Sequence, residues 1–381
     1  MSPQYSIKQI NSLESISAGA WNKLSDGSNP FIRHEYLYGL EKYDCLSSQG
    51  WYPLHLVVYS DEILVGALPL YVRTNSYGEF VFDWAWADAY EKAGRQYYPK
   101  LVSAIPFAPV TGPRLLIKPG FPSARTIKQL LVEKVIQLIN ANEMSSYHCL
   151  FTEFQDQEIL AQSGLLKRLT CQFHWFNKHY RDFQDFLDSL TSKKRKQIKR
   201  ERKQVRNHGI EIETMTGSQI SEEQWQVFHN FYCSTFIRRW GQPRLTLEFF
   251  QSLGKSMPSS TLLILARHRN SYVAGAYAML GNDTLYGRHW GCSEQYPFLH
   301  FELCYYQTIE YCIHHRLTKI DAGVQGEHKL SRGFSPVAAV SYHWIYNPEF
   351  RSAIEQYLER ESVEMSWYLD SLNEHLPFKL V

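Results

Sequence analysis

The feature that most restricts this chain is a pattern that occurs twice. Helical turns over Trp21–Tyr43 lead to Leu54–Tyr59, a polar Asp61-Glu62 break and Ile63–Val72. Short β-branched and aromatic runs either side of a two-residue polar break predict a hairpin. In the second half, a helical stretch over Trp225–Leu253 precedes Leu262–Arg267, a polar turn and Tyr272–Leu280. Gly66-Ala67 and Gly275-Ala276 fall at matching points inside the second strand of each hairpin. An amphipathic helix over Thr126–Asn142, apolar at Ile127, Leu130, Leu131, Val135 and Leu138, then leads to a strand at His148–Phe151. Its counterpart is a helix over Phe301–His315 leading to Lys319–Gly323. Helix, hairpin, helix, strand, repeated, predicts a duplicated α/β module, the first over 1–180 and the second over 181–381.

Composition narrows the class further. A chain of 381 residues with 44% hydrophobic and 20% charged content has material for a large packed core. The seven cysteines are odd in number and include no C-x-x-C pair, so buried thiols in a reducing cytoplasm fit better than disulfides or structural zinc. Cys304 and Cys312, eight apart in a helical stretch, are expected to face the core. The start, Met1–Lys8, lacks the basic-then-apolar plan of a signal peptide, and no apolar run reaches membrane-spanning length. These features predict a cytoplasmic protein.

The formal net charge is only +2, yet charge is not evenly spread. From Lys193 to Arg206 there are nine basic residues and one acid, a local +8, so the remainder sums to −6. Ile198 and Val205, seven apart, suit a helix with a narrow apolar stripe and a wide cationic face. Lys193, Lys194, Arg195, Lys196, Lys199, Arg200, Arg202 and Lys203 are the candidate polyanion contacts. RNA backbone or other phosphates would be satisfied by them; lipid headgroups at a peripheral membrane contact would be too. A plain solvated surface helix is the alternative.

Three stretches concentrate chemistry-bearing residues. The first is Phe82–Glu91 with Tyr97–Lys100 and Pro109–Arg114, where Trp84, Trp86, Asp88, Tyr90, Tyr98, Lys100 and Arg114 are candidate substrate contacts. Trp84 and Trp86 share strand parity, which would line one wall of a pocket and turn Asp83 to the other face. Aromatic packing beneath a long loop is the alternative. The second is Leu285–Glu294 with His300 and Glu302, where Arg288, Trp290 and Glu294 crowd around Gly287 and Gly291 at a strand end. Glu302 opens the next helix, as a dipole-favoured first-turn acid or as a general base if burial raises its pKa. The third is Asp321–Pro336, with Gln325, Glu327, His328, Lys329 and Arg332 among small residues after a strand. Lys329 and Arg332 suit an anion or a polarised carbonyl; a salt-bridged surface loop is the alternative.

Missing motifs also inform. There is no G-x-x-x-x-G-K-[ST], no G-x-G-x-x-G, no G-x-S-x-G and no H-E-x-x-H. P-loop, dinucleotide, serine-hydrolase and metal readings therefore lose their main support.

The helix, hairpin, helix, strand order, with Gly275-Ala276 and the Gly287–Gly291 strand end, resembles the GNAT acyltransferase superfamily. Typical members hold a coenzyme A pyrophosphate on a Q/R-x-x-G-x-G/A loop. The corresponding stretch here, Cys292–Phe301, has no glycine, so backbone amides could not approach a pyrophosphate in the usual way. A tandem pair lacking that loop resembles the FemAB/FemX group, in its peptidoglycan biosynthesis/recognition branch. Trp84–Tyr90, Pro109–Arg114 and Gln325–Phe334 carry the resemblance, which spans roughly 5–370.

The resemblance implies a fold of tandem GNAT-like modules, each a mixed, mostly antiparallel sheet flanked by helices, the first on the acceptor side and the second on the donor side. It implies transfer of an amino acid from aminoacyl-tRNA to an amine on a peptidoglycan precursor. FemX-type enzymes carry an aromatic-Lys pair and then Gly-Phe after the last strand of the second module. His328-Lys329 and Gly333-Phe334 match that arrangement, with His in the aromatic place. Lys329 would then contact the donor's terminal phosphate or ester carbonyl; His328 beside it and Glu302, read above as a cap or a general base, are the other candidate catalytic residues. An acyl-CoA-dependent N-acetyltransferase and a non-catalytic peptidoglycan or peptide recognition module are the alternatives, and no resident cofactor is expected.

Overall fold

The computed structural model describes residues 5–238 and 241–379. Two compact units emerge: Met1–Cys171 with Ala338–Tyr368, and Gln172–Val337 with Leu369–Val381. In chain order the elements are β1 (Tyr5–Ile10), α1 (Ala18–Asn22), α2 (His34–Lys42), β2 (Trp51–Pro53), β3 (His55–Ser60), β4 (Ile63–Leu68), β5 (Tyr71–Arg73), α3 (Trp84–Lys92), β6 (Lys100–Ser103) and β7 (Leu116–Ile117). There follow α4 (Ala124–Asn142), β8 (Ser146–Cys149), α5 (Phe154–Gln162), β9 (Leu166–Phe176), α6 (Phe183–Ser189), α7 (Ser192–Asn207), β10 (Ile210–Thr216), α8 (Glu222–Ile237) and α9 (Leu247–Ser256). The chain ends with β11 (Thr261–His268), β12 (Ser271–Leu280), β13 (Thr284–Cys292), α10 (Leu299–Phe301), α11 (Gln307–His314), β14 (Lys319–Asp321), β15 (Ser335–Ile345) and α12 (Pro348–Glu374).

In the first unit, β3 and β4 form the expected hairpin, closed by Asp61 and Glu62 at φ 46° and 66°. Left-handed conformation at both turn residues matches the right-handed twist of the flanking strands. This hairpin centres an antiparallel sheet of order β1-β3-β4-β7. Ile127, Leu131, Val135 and Ile139 of α4 repeat at helical spacing and bury with Leu56, Val58, Val65 and Leu68. Gly66 is what lets α4 approach: a Cβ there would lie 2.6 Å from Ile127 Cγ2. A second set of strands runs β15-β8-β6-β5-β2, with β6 and β8 parallel.

The second unit is built on β10-β11-β12-β13-β14, with β13 and β14 parallel, and the end of β9 pairing with β14 at Phe176↔Lys319. Gly275, the counterpart of Gly66, also lies beneath a helix: a Cβ there would be 3.0 Å from Phe228 of α8. The covering helix precedes the hairpin here and follows it in the first unit, so the repeated glycine serves one packing need in two ways.

Several expectations are corrected. The stretch Trp84–Lys92 is helix α3, not strand, so Trp84 and Trp86 do not share a wall: Trp84 is exposed and Trp86 buried. Alternating Ala85, Ala87 and Ala89 favour the helix, and the four-residue spacing of Trp86 and Tyr90 puts both on a face packed against Ile354 and Leu358 of α12. The helix expected over Phe301–His315 is interrupted by a π-helical turn, Glu302–Tyr306. Ala338–Tyr368, placed by the sequence in the second module, joins the first unit, because β15 pairs with β8 and α12 covers α3. All seven cysteines are free; Cys312 is buried and Cys304 partly so. Among the described residues no helix is long and apolar enough to cross a membrane.

Candidate active site

In the second unit β14 ends at Asp321, and the chain turns through Gly326 (φ 102°) into a 3-10 turn, Glu327–Arg332, closed by Gly333 (φ 87°). Both glycines occupy left-handed conformations that cost other residues. The turn brings Lys329 back over the strand end, where its Nζ donates to the Ala322 carbonyl at 2.5 Å and lies 5.4 Å from the Phe173 ring centroid. Lys329 is only 5% exposed, so its charge acts in a medium of low polarity. Beside it, Asp321 accepts from Gly323 N at 2.9 Å and from Arg288 at 3.3 Å, with His174 Nε2 at 4.0 Å. Burial would raise the Asp321 pKa, but Arg288 and His174 outweigh it and hold the carboxyl below its ordinary value. Burial holds His174 on the neutral side, against the pull of Asp321.

His328 is exposed and hydrogen-bonds Tyr305 Oη at 2.9 Å. One side of its ring packs against Phe301 and Tyr305, and this partial burial, with Arg332 and Lys329 nearby, lowers its pKa, so the imidazole is neutral at pH 7. His300 packs on Trp290 and Tyr305. Arg332 is buried and makes a two-point ion pair with Glu201 at 3.0 Å. Glu302 is buried under Arg202, at 2.9 Å, and also accepts from Gln307. Those donors occupy its lone pairs, which makes it a strut between α7 and the π-turn and not a base facing solvent. Gln325 and Glu327 are exposed, as is Glu294, which accepts from Tyr296.

Helix α7 realises the expected cationic face and buries Ile198 and Val205. Lys193, Lys196, Lys199, Arg200, Lys203 and Arg206 are exposed, whereas Arg202 turns inward, Lys194 donates to Ser331 and Arg195 pairs with Asp188.

In the first unit the candidate contacts resolve differently. Lys100 is fully buried, its Nζ 2.7 Å from Ser76 Oγ and 2.8 Å from Glu79, and it also pairs with Asp83. Arg73 pairs with Glu79 at 3.1 Å. Two cations thus face two carboxylates. Burial would raise Asp83, but Lys100 and His148 outweigh it and hold that carboxyl far below its ordinary value. Tyr97 donates to Asp83 at 2.6 Å, and His148 faces His343 with their Nδ1 atoms 2.6 Å apart. Burial pushes both imidazoles well below their ordinary pKa.

Arg114 is spent on the carbonyls of Val110, Gly112, Pro113 and Leu150, so it shapes the Pro109–Arg114 loop. Tyr98 is tied to Ser76, Asp88 pairs with Lys92 on the surface, and Trp84 meets Tyr77 with ring centroids 5.0 Å apart. Glu79, His148, His343, Phe173 and His174 escape sequence reasoning: they sit in strands or loops with no motif, and His148 and His343 are 195 residues apart. Among the described residues no three His, Cys, Asp or Glu side chains gather as a metal site.

Comparison with known proteins agrees with this architecture. The FemAB_like family model, described as peptidoglycan biosynthesis/recognition, matches residues 12–380. No curated protein matches the chain. Among solved structures, FemX aligns with a TM-score of 0.54 at 11% identity, over 92% of this chain and 100% of its own. A conserved protein of unknown function from Bacteroides thetaiotaomicron VPI-5482 aligns with a TM-score of 0.50 at 10% identity, over 90% and 100%. A tandem GNAT protein from the clavulanic acid biosynthesis pathway aligns with a TM-score of 0.47 at 11% identity, over 91% and 99%. At such identities the likeness to FemX and to the Bacteroides protein speaks to the fold alone, while the family match covers nearly the whole chain. The chain belongs to the FemAB-like family of peptidoglycan biosynthesis and recognition, and it shares its fold with FemX.

Proposed function

We propose that the protein is an amide-forming acyltransferase of peptidoglycan biosynthesis, moving an acyl or aminoacyl group from an activated ester to an amine. In this reading the second unit serves the donor and the first the acceptor. The observation that carries it is Lys329, a buried ammonium fixed at a strand end by Ala322 and Phe173 in a chain of this family. The acceptor nitrogen attacks the ester carbonyl, the C–N bond forms, and negative charge gathers on the carbonyl oxygen. A preorganised cation in a poorly polar setting stabilises that charge. The C–O bond to the donor then breaks, and the proton lost by the amine ends on the leaving oxygen. His328, neutral at pH 7 and hydrogen-bonded to Tyr305, is suited to carry that proton. We assign Glu302 a structural part because Arg202 and Gln307 hold its carboxylate.

Aminoacyl-tRNA is the donor this reading favours. The six exposed cations of α7 suit a phosphate backbone, and Cys292–Phe301 offers no glycine loop for a pyrophosphate. Thermal-shift measurements with tRNA, acyl-CoA and cell-wall fragments at two salt concentrations test it. Steeply salt-dependent stabilisation by tRNA is expected; stabilisation by acyl-CoA, or by cell-wall fragments with neither donor, would replace the reading.

A further inference from the structure

The inner face of α7 is as specific as its outer face is cationic. The one acid of the basic run, Glu201, is 2% exposed and meets Arg332 with both carboxylate oxygens at 3.0 Å. It also accepts from Tyr306 in the π-turn. Arg332 in turn donates to the His328 carbonyl at 2.8 Å and lies 3.4 Å from the Phe301 ring centroid. Two turns of α7 earlier, Lys194 reaches Ser331 at 2.8 Å. The Lys329 turn is therefore tied to α7 on its C-terminal side, through Ser331 and Arg332, and Arg332 reaches back across the turn to the His328 carbonyl.

A buried ion pair is weak evidence for stability; its better-attested use is to fix one arrangement among several. Here the arrangement fixed is that of the segment carrying Lys329. On the opposite side of the same helix, Lys193, Lys196, Lys199, Arg200, Lys203 and Arg206 are exposed along about 20 Å of axis. A helix held along that length by a phosphate strand loses freedom, and partners rigidly tied to it lose freedom too.

We propose that α7 is a strut with two working faces, in which Glu201 and Ser331 are positioning residues that carry the docking of an RNA phosphate strand to the Lys329 turn. The inference rests on the reading of α7 as the donor's phosphate contact and adds a coupling to it. Neither residue touches the reacting atoms. Their work is to make the turn's order depend on what lies on the outer face.

The test is amide hydrogen exchange on the full chain, with and without a short RNA duplex, at two salt concentrations. The reporters are the amides of Lys329, Gly333 and Phe334, which donate to Gly326, Leu330 and Lys329 carbonyls. In the natural chain, RNA is expected to slow their exchange at least about fivefold, the lower end of ordinary coupling. Glu201→Gln should abolish that slowing while leaving RNA affinity and its salt slope unchanged. Ser331→Ala, a mild rim change, should reduce it, and decides the matter if the Glu201 variant does not fold. RNA that binds without slowing exchange at the turn, or slowing that persists in the folded variants, overturns the strut and leaves the donor reading standing. Absence of RNA binding, including binding to anionic vesicles in its stead, overturns both.

Discussion

Lys100 decides whether the charged cluster of the first unit is framework or binding surface. Substituting Lys100→Met removes the cation from between Glu79 and Asp83 while nearly keeping its length. Glu79 retains Arg73, and Asp83 retains only neutral or weakly charged neighbours, Tyr97 and His148. Breaking a buried pair on one side costs about 3–5 kcal/mol, because the remaining charge stays out of water. For a unit of this size, about 2–4 °C of melting temperature accompanies each kcal/mol, so the midpoint should fall by roughly 6–20 °C. Urea and thermal unfolding followed by circular dichroism measure it, with the first transition assigned to either unit by proteolysis. Adding Asp83→Asn should recover part of the loss, since it removes the stranded charge. A loss below about 1 kcal/mol, the worth of an exposed pair, would refute the framework reading and return Lys100 to the candidate ligand contacts.

The buried His148 and His343 make stability depend on pH. Both fold with pKa values well below the ordinary one, so the folded state binds fewer protons than the unfolded chain. Stability is then present above pH 6.5 and lost as pH falls, by about 3 kcal/mol between pH 7.5 and 5.5 for the pair. Unfolding at a series of pH values should show this slope, and His343→Gln should roughly halve it; an unchanged slope rejects the assignment. At Gly291 an added Cβ would lie about 2.0 Å from the Phe231 carbonyl oxygen, so Gly291→Ala should destabilise the second unit by about 3 kcal/mol or more. Retained stability would mean that α8 moves freely over β13. Replacing Lys196, Lys199 and Lys203 together by Ala should lower the salt slope of tRNA binding by about 2–3, at near 0.7–0.9 per phosphate contact. An unaltered slope would put the polyanion elsewhere.

Much of the scaffold was legible because it depends on local patterns. The hairpin at Asp61-Glu62, the inward turn of Ile198 and Val205 and the α4 stripe follow from periodicity and punctuation and are observed, except that Leu130 and Leu138 of the expected stripe are half-buried while Val132 and Ile139 are buried. What escaped depends on partners far apart in sequence. Strand parity at Trp84 and Trp86 failed because α12, more than 260 residues further on, covers a helical face instead. Lys100 and Arg114 read as ligand contacts because cations in aromatic or Gly-Pro loops often are. Only their surroundings, two carboxylates for one and four carbonyls for the other, reveal internal use. Glu201 looked like a lone exception in a basic run, and its importance lies in Arg332, 131 residues away. The π-turn at Glu302–Tyr306 has no signature in a single sequence; such turns recur at functional sites.

The central claim is that Lys329 stabilises the charge formed as an ester becomes an amide. Single-turnover transfer from radiolabelled aminoacyl-tRNA to an amine-bearing cell-wall precursor measures it directly, comparing the natural chain with Lys329→Ala. The account predicts a rate lower by about 10²–10³, the usual loss for one oxyanion contact, with circular dichroism and tRNA affinity retained. A folded Lys329→Ala protein that transfers at the natural rate would contradict it.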